Sequence, residues 1–285
     1  MGKPGNWRSG RVLVCGASSQ LGFCLLPELQ EAGAEVVALS RRPRAATAGA
    51  TWLQGAMPGP PAVVGDVASV CSFAPLDTLA AWIAARAPAS LARVVATSSM
   101  SAESKRASPV ATERAMAERL RAGEAALAAA CAARGVACTL LRPTLIYGVA
   151  RDRSLTPLAR RAVRWHAFGL PAGSGLRQPV HARDVAAAVL RALDGGAEGC
   201  TLALGGGERL PAAEMFARVR ASLPVATLPV PVPAWLVRAG AACVPPLRGP
   251  LTRLEQDLVA DNTALTQRLG VRPRGFHPDR ACWGL

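Results

Sequence analysis

The sequence predicts an α/β fold, a doubly wound parallel sheet with a smaller C-terminal part, on three observations. Short β-branched runs alternate with helically spaced apolar residues through the first half of the chain. A glycine-containing turn separates the first run from the first helix. Beyond Gly148 the pattern gives way to arginine-rich and proline-rich sequence.

The elements follow in order. Arg11 to Cys15 (RVLVC) has the pattern of a buried parallel strand. Leu21, Leu25, Leu26 and Leu29 give Gln20 to Ala32 helical spacing; Pro27 predicts a kink or break, and Gly33 the end. Glu35 to Leu39 is the second strand, so the two strands and their helix form one right-handed parallel unit. Strands are expected at Thr51 to Gln54, Ala68 to Phe73, Arg93 to Thr97 and Val136 to Leu141. Leu76 to Arg86 reads as a helix. Thr112 to Arg134 reads as a longer one, with an apolar stripe of Met116, Leu120, Leu127 and Cys131. Arg151 to Gly175 reads as irregular. Then come a helix over Asp184 to Leu193, a strand over Cys200 to Leu204, and helices near Ala212 to Ser222 and Leu251 to Val259.

Composition excludes several classes. The chain has 285 residues, 51% of them hydrophobic, so it is globular. Its net charge of +14 is almost entirely arginine, since Lys3 and Lys105 are the only lysines. The arginines are scattered, without the block or motif that nucleic-acid binding needs, so no nucleic-acid partner is expected. The cysteines are Cys15, Cys24, Cys71, Cys131, Cys138, Cys200, Cys243 and Cys282, with no CxxC pair and only three histidines, so no metal site is expected. Buried thiols and a reducing, cytoplasmic setting fit this usage. The first ten residues carry no apolar leader segment. Val225 to Val244, the most apolar stretch, is interrupted by Pro229, Pro231, Pro233 and Arg238, so no membrane span is expected.

The turn is Gly16-Ala17-Ser18-Ser19-Gln20-Leu21-Gly22. A strand, a glycine turn and a helix N-terminus in this order aim free backbone N–H groups at a diphosphate, as in a Rossmann dinucleotide site. The other reading is a turn used only for chain reversal. Ser19 stands where many such turns have a middle glycine; its Cβ narrows the approach, while its hydroxyl offers a hydrogen bond. The second strand ends in Ser40-Arg41-Arg42-Pro43-Arg44, with no carboxylate to grip a ribose 2′-OH. Ser40 with Arg41 or Arg42 suits a 2′-phosphate, which favours NADP(H) over NAD(H).

Four segments resemble the extended or atypical short-chain dehydrogenase/reductases, the NAD-dependent epimerase/dehydratase-like proteins. They are GASSQLG with SRRPR, RVVATSS, LLRPTLIYG and QPVHARDVAAAV. The resemblance spans Arg11 to Gly206 and implies a Rossmann domain over 1–148, completed by 179–204, with a substrate-binding domain from 149–178 and 205–285. It places Thr97 and Ser98 beside the cofactor. It places Ser99 as the catalytic serine that hydrogen-bonds the substrate oxygen, against a plain role ending a strand.

The family's tyrosine and lysine, four residues apart on the long helix, are absent. A register anchored on Glu124 puts Met116 and Leu120 at their positions, and the helix contains no tyrosine or lysine. Three consequences compete. Another group serves as acid, from among Tyr147, His166, His181, Lys105 and Ser99; water supplies the proton; or the cofactor is bound without turnover. Tyr147, the only tyrosine, falls in the LIYG motif, which is expected to end on the nicotinamide side of the sheet. Asp184 is expected to cap or orient the helix that follows. The expected function is an NADP(H)-dependent oxidoreductase or epimerase-like enzyme with a small-molecule substrate; a non-catalytic NADP(H)-sensing or scaffold protein is the alternative. Arg151, Arg153, Arg160, Arg161 and Arg164 are candidates for an anionic substrate group, against a solvated face. An oligomer is compatible with this reading.

Overall fold

The computed structural model describes residues 7–45, 49–59, 64–233, 235–236, 239 and 253–285. Cys243, the end of the Val225 to Val244 stretch and the start of the helix expected at Leu251 lie outside the described residues.

Seven parallel strands form the central sheet. They are β1 (Arg11–Cys15), β2 (Glu35–Ser40), β3 (Ala50–Gln54), β4 (Ser69–Ser72), β5 (Arg93–Thr97), β6 (Ala137–Pro143) and β11 (Thr201–Leu204). Their order is β11-β6-β5-β4-β1-β2-β3, so the winding reverses between β1 and β4. In register, Val14 lies beside Ala38 on one side and Cys71 on the other.

The pleat sorts the strand residues by face. Val12, Val14, Val36 and Ala38 join a core with α1 (Gln20–Glu31) and α6 (Ala182–Asp194). Leu13, Cys15, Val37 and Leu39 join the opposite core with α2 (Leu76–Arg86) and α4 (Ala111–Ala133). Helices on both faces explain why β1 and β2 read as continuous apolar runs. The expected kink or break is not seen: α1 runs unbroken through Pro27, which lies on the exposed side of the helix.

Two expectations are corrected here. The buried face of α4 is Glu113, Ala117, Gly123, Glu124, Leu127 and Cys131, while Met116 is 43% exposed and Leu120 half-buried. Small and acidic residues, not the larger apolar ones, turn inward along its first half. The stretch from Arg151 to Gly175 is also not irregular, since it forms α5 (Leu155–Trp165) and β8 (Ala167–Pro171). Asp152 caps α5 by accepting from the amides of Ser154, Leu155 and Thr156.

A third core lies beyond the C-terminal edge of the sheet. Tyr147 of β7 (Ile146–Tyr147) meets Leu155 and Ala159 of α5, Phe168 of β8, Met215 and Val219 of α7 (Ala212–Ala221), Phe276 and Trp283. β7 pairs with β10 (Val180–His181), β9 (Leu176–Arg177) with β12 (Leu210–Pro211), and β8 with β13 (Leu228–Val232). Of the helix expected to end at Val259, the described part is one 3-10 turn, Arg253–Glu255. Residues after it run beside β9 instead, since Leu258 N donates to Leu176 O and Ala260 N to the Gln178 side chain. A short helix, α8 (Thr263–Leu269), packs Leu265 and Leu269 into the core that holds α6.

Candidate functional site

The turn is fixed by close approach. Gly16 has φ +74°, and a Cβ on Gly22 would stand 2.2 Å from the carbonyl oxygen of Ala17. Ser19 is the N-cap of α1; its Oγ accepts from Gly22 N at 3.2 Å. The hydroxyl at the middle-glycine position therefore holds the helix start together, and the first amides of α1 point out of its end. Gln20 Nε2 donates to Gly148 O at 2.8 Å, tying the turn to the segment after β7. Leu21 is buried beneath the turn.

The end of β2 comes to the same place. Ser40 is buried, its Oγ lies 3.4 Å from Ser18 Oγ, and it accepts from Arg42 N. Arg41, Arg42 and Arg44 are exposed. A cavity of about 520 Å³ runs along α1 from Ala17 and Ser18 to Trp52, with Arg44, Arg151 and Arg183 among its lining. On the far side of β4 from β1, β5 ends at Thr97, and Ser98 and Ser99 follow it. Ser98 N donates to Leu141 O, and Ser99 Oγ accepts from Ser101 N at 3.1 Å. Ser98 Oγ is buried without a hydrogen-bond partner among the described residues.

A second cavity, of about 420 Å³, lies beyond β5 and β6 between the sheet and the third core. Ser101 and Ser104 of α3 (Ser101–Ser104) line it with Lys105, as do Arg153, Leu158 and Phe216. Lys105 is 9% exposed. Its Nζ lies 3.4 Å from Met116 Sδ and 3.7 Å from Glu113 Oε1, and Glu113 accepts from Ser108 Oγ at 2.7 Å. A lysine thus stands beside the methionine that occupies the expected tyrosine position. The sequence signal for it was rarity, one of two lysines in an arginine-rich chain.

The other proposed acids lie elsewhere. Tyr147 lines a separate cavity of about 250 Å³ with His181, His277, Arg274 and Cys282. Its ring is buried edge-on against Phe276 and His181, and burial pushes its phenol well above the usual value, with the nearby Cys282 and Asp184 adding to the effect. His181 is the N-cap of α6, its Nδ1 accepting from Arg183 N, and burial lowers its pKa, with Arg274 assisting. His166 is exposed at the left-handed end of α5. Asp184 does not cap α6; it sits in the first turn and accepts from the backbone and side chain of Arg274.

The five arginines from 151 to 164 do not converge. Arg151 stacks on Phe23, Arg160 donates to Trp283 O, Arg161 lies over Trp165, and Arg164 is exposed. Only Arg153 of these reaches the 420 Å³ cavity. Among the described residues no helix is long and apolar enough to cross a membrane.

Comparison with known proteins adds a family match over part of the chain, and a fold. Residues 76–205 match the model of the NAD dependent epimerase/dehydratase family. MoeE5, solved with UDP-glucuronic acid and NAD, is 20% identical with a TM-score of 0.72, covering 93% of this chain and 94% of its own. The UDP-glucuronic acid 4-epimerase from Bacillus cereus, solved with NAD, is 13% identical with a TM-score of 0.71, covering 92% and 93%. The UDP-glucose 4-epimerase from Thermotoga maritima, solved with UDP-glucose, is 16% identical with a TM-score of 0.69, covering 92% and 93%. Among curated protein sequences there is no match.

Proposed function

We propose that this protein, whose residues 76–205 match the model of the NAD dependent epimerase/dehydratase family, is an NADP(H)-dependent oxidoreductase or epimerase-like enzyme with an atypical active site. The observation that carries the reading is the meeting of the Gly16–Gly22 turn with the end of β2, where Ser18 and Ser40 touch and Arg41 and Arg42 follow. The turn and the α1 amides hold the diphosphate. Ser40, Arg41 and Arg42 hold a 2′-phosphate in a place that offers no carboxylate to a bare ribose. The orphaned Ser98 Oγ fits a bound cofactor, because a buried hydroxyl without a partner is what a ligand would complete. When bound, the nicotinamide supplies hydride exchange at a carbinol or carbonyl carbon. Ser99 hydrogen-bonds the substrate oxygen, and the third core with its flanking segments forms the substrate-binding part.

The solved neighbours named above carry NAD in two cases; the arginines after Ser40 are the reason for assigning this chain NADP(H) instead. Fluorescence titration tests it. NADPH is expected to bind at least about tenfold more tightly than NADH, a difference of about 1.4 kcal/mol. Arg41→Ala and Arg42→Ala should weaken NADPH and leave NADH unchanged. Equal affinity for the two cofactors in the unmutated protein overturns the assignment.

A second reading rests on Met116 and Leu120, neither of which transfers a proton. In it the protein binds NADP(H) as a sensor or scaffold, and bound NADPH is never consumed.

A further inference from the structure

The 420 Å³ cavity has two unlike walls. The wall nearest the sheet is polar and belongs to one short segment, Ser101, Ser104 and Lys105. The rest of the lining is mixed: Leu155 and Leu158 on α5, Met215 and Phe216 on α7 and Leu254 from the 3-10 turn supply its apolar area, with Arg153, Ser154, Arg177, Gln256 and Asp257 between them. Its volume is that of a small-molecule site, in which apolar walls supply affinity and a few polar groups fix orientation.

The charges around it are largely answered within the protein. Lys105 faces Glu113 across 3.7 Å. The Arg177 guanidinium donates to the carbonyls of Leu176 and Gln256. Asp257 accepts from Leu176 N, and Arg153 is exposed at the rim. A nucleoside diphosphate would call for several uncompensated cations, and a sugar for polar groups on both walls. The side chains of Leu155, Leu158, Met215, Phe216 and Leu254 meet neither need.

We propose that this cavity binds a largely apolar molecule carrying one oxygen function, a carbonyl or its alcohol, with the oxygen at Ser101, Ser104 and Lys105 and the hydrocarbon against Leu158, Met215 and Phe216. The inference rests on the oxidoreductase reading, in which Ser99, its Oγ accepting from Ser101 N at 3.1 Å, borders the same polar wall and shares that oxygen, but the binding claim is testable apart from it. Lys105 is an oxygen-binding residue in this arrangement, and Glu113 positions it.

Calorimetric titration of the full chain with methyl octyl ketone, octane and UDP-glucose decides the matter. The ketone is expected to saturate at least about tenfold more tightly than UDP-glucose. Leu158→Asp, at a residue 38% exposed and therefore tolerant of a charge, should weaken ketone and octane alike by about tenfold. Lys105→Met should weaken the ketone several-fold and leave octane unchanged, a contrast that loss of packing would not produce. Tighter binding of UDP-glucose, no saturation by the ketone, or a ketone affinity indifferent to Leu158→Asp overturns the proposal. NADPH fluorescence on the same samples separates the two claims. Lost NADPH binding with intact ketone binding refutes the cofactor reading alone, and the converse refutes this one alone.

Discussion

Gly22 shows how narrowly a single position is constrained. A methyl group there would press into the Ala17 backbone, 2.2 Å from its carbonyl oxygen, where no flexible side chain can yield. Gly22→Ala should therefore lower stability by about 3 kcal/mol, read as a drop in the urea midpoint, and should weaken NADPH binding because the turn itself must shift. At this scale the sequence was informative wherever backbone geometry demanded a residue type. The glycine turn, the Ser40-Arg41-Arg42 corner and the strand end at Thr97 to Ser99 were all legible. Lys105 was legible only as one of several acids, because its meeting with Met116 and Glu113 depends on how α3 folds back against α4. The surroundings of Tyr147 were hidden for a similar reason. The motif gave its strand, while the side chain's direction followed from packing with Phe276 and Trp283.

Among the elements, α4 is held by an ion pair as well as by the apolar packing of Leu127 and Cys131. Glu124, buried, accepts from Arg142 Nε of β6 at 2.9 Å, and Glu103 receives the same guanidinium at 2.9 Å. Hydrogen bonding to Glu124 raises the Arg142 pKa further. Removing one partner of such a pair leaves the other's charge insufficiently matched, so Glu124→Ala should cost about 3 kcal/mol. Glu124→Gln, which keeps one acceptor, should cost less, and urea unfolding of the two variants measures the difference. α5 was hidden from sequence reading by its charges. Leu155, Ala159 and Ala162 make a narrow inward face, and arginines crowd the other side. The α1, α2, α4 and α6 helices, by contrast, were recognised within a few residues of their ends, since the strands between them set clear limits.

Taken whole, the molecule joins its sheet to the third core in part through contacts around Gly148 and His181. A side chain on Gly148 would collide with the His181 imidazole, and Tyr147 packs edge-on against that ring. Burial, with Arg274 assisting, holds the folded His181 pKa below its ordinary 6.5. The unfolded chain then binds the proton first. The contribution of this residue is full above about pH 6.5 and is lost as pH falls through the lower folded value, by up to about 1.4 kcal/mol per pH unit. His181→Asn keeps a cap acceptor for Arg183 N and removes the titration. Urea midpoints at pH 7 and pH 5.5 should fall further for the unmutated protein than for the variant; equal falls would disprove the linkage.

The strand order also carries a consequence in time. β6 is complete at Pro143, yet its outer neighbour β11 begins only at Thr201. While the chain is being synthesised, six strands can assemble with the edge of β6 bare, and the intervening segment must form before that edge is closed. Such late, distant pairing is slow and leaves an open edge available to other chains. The interval between the emergence of Pro143 and of Leu204 is thus when the nascent molecule is most exposed to misassembly.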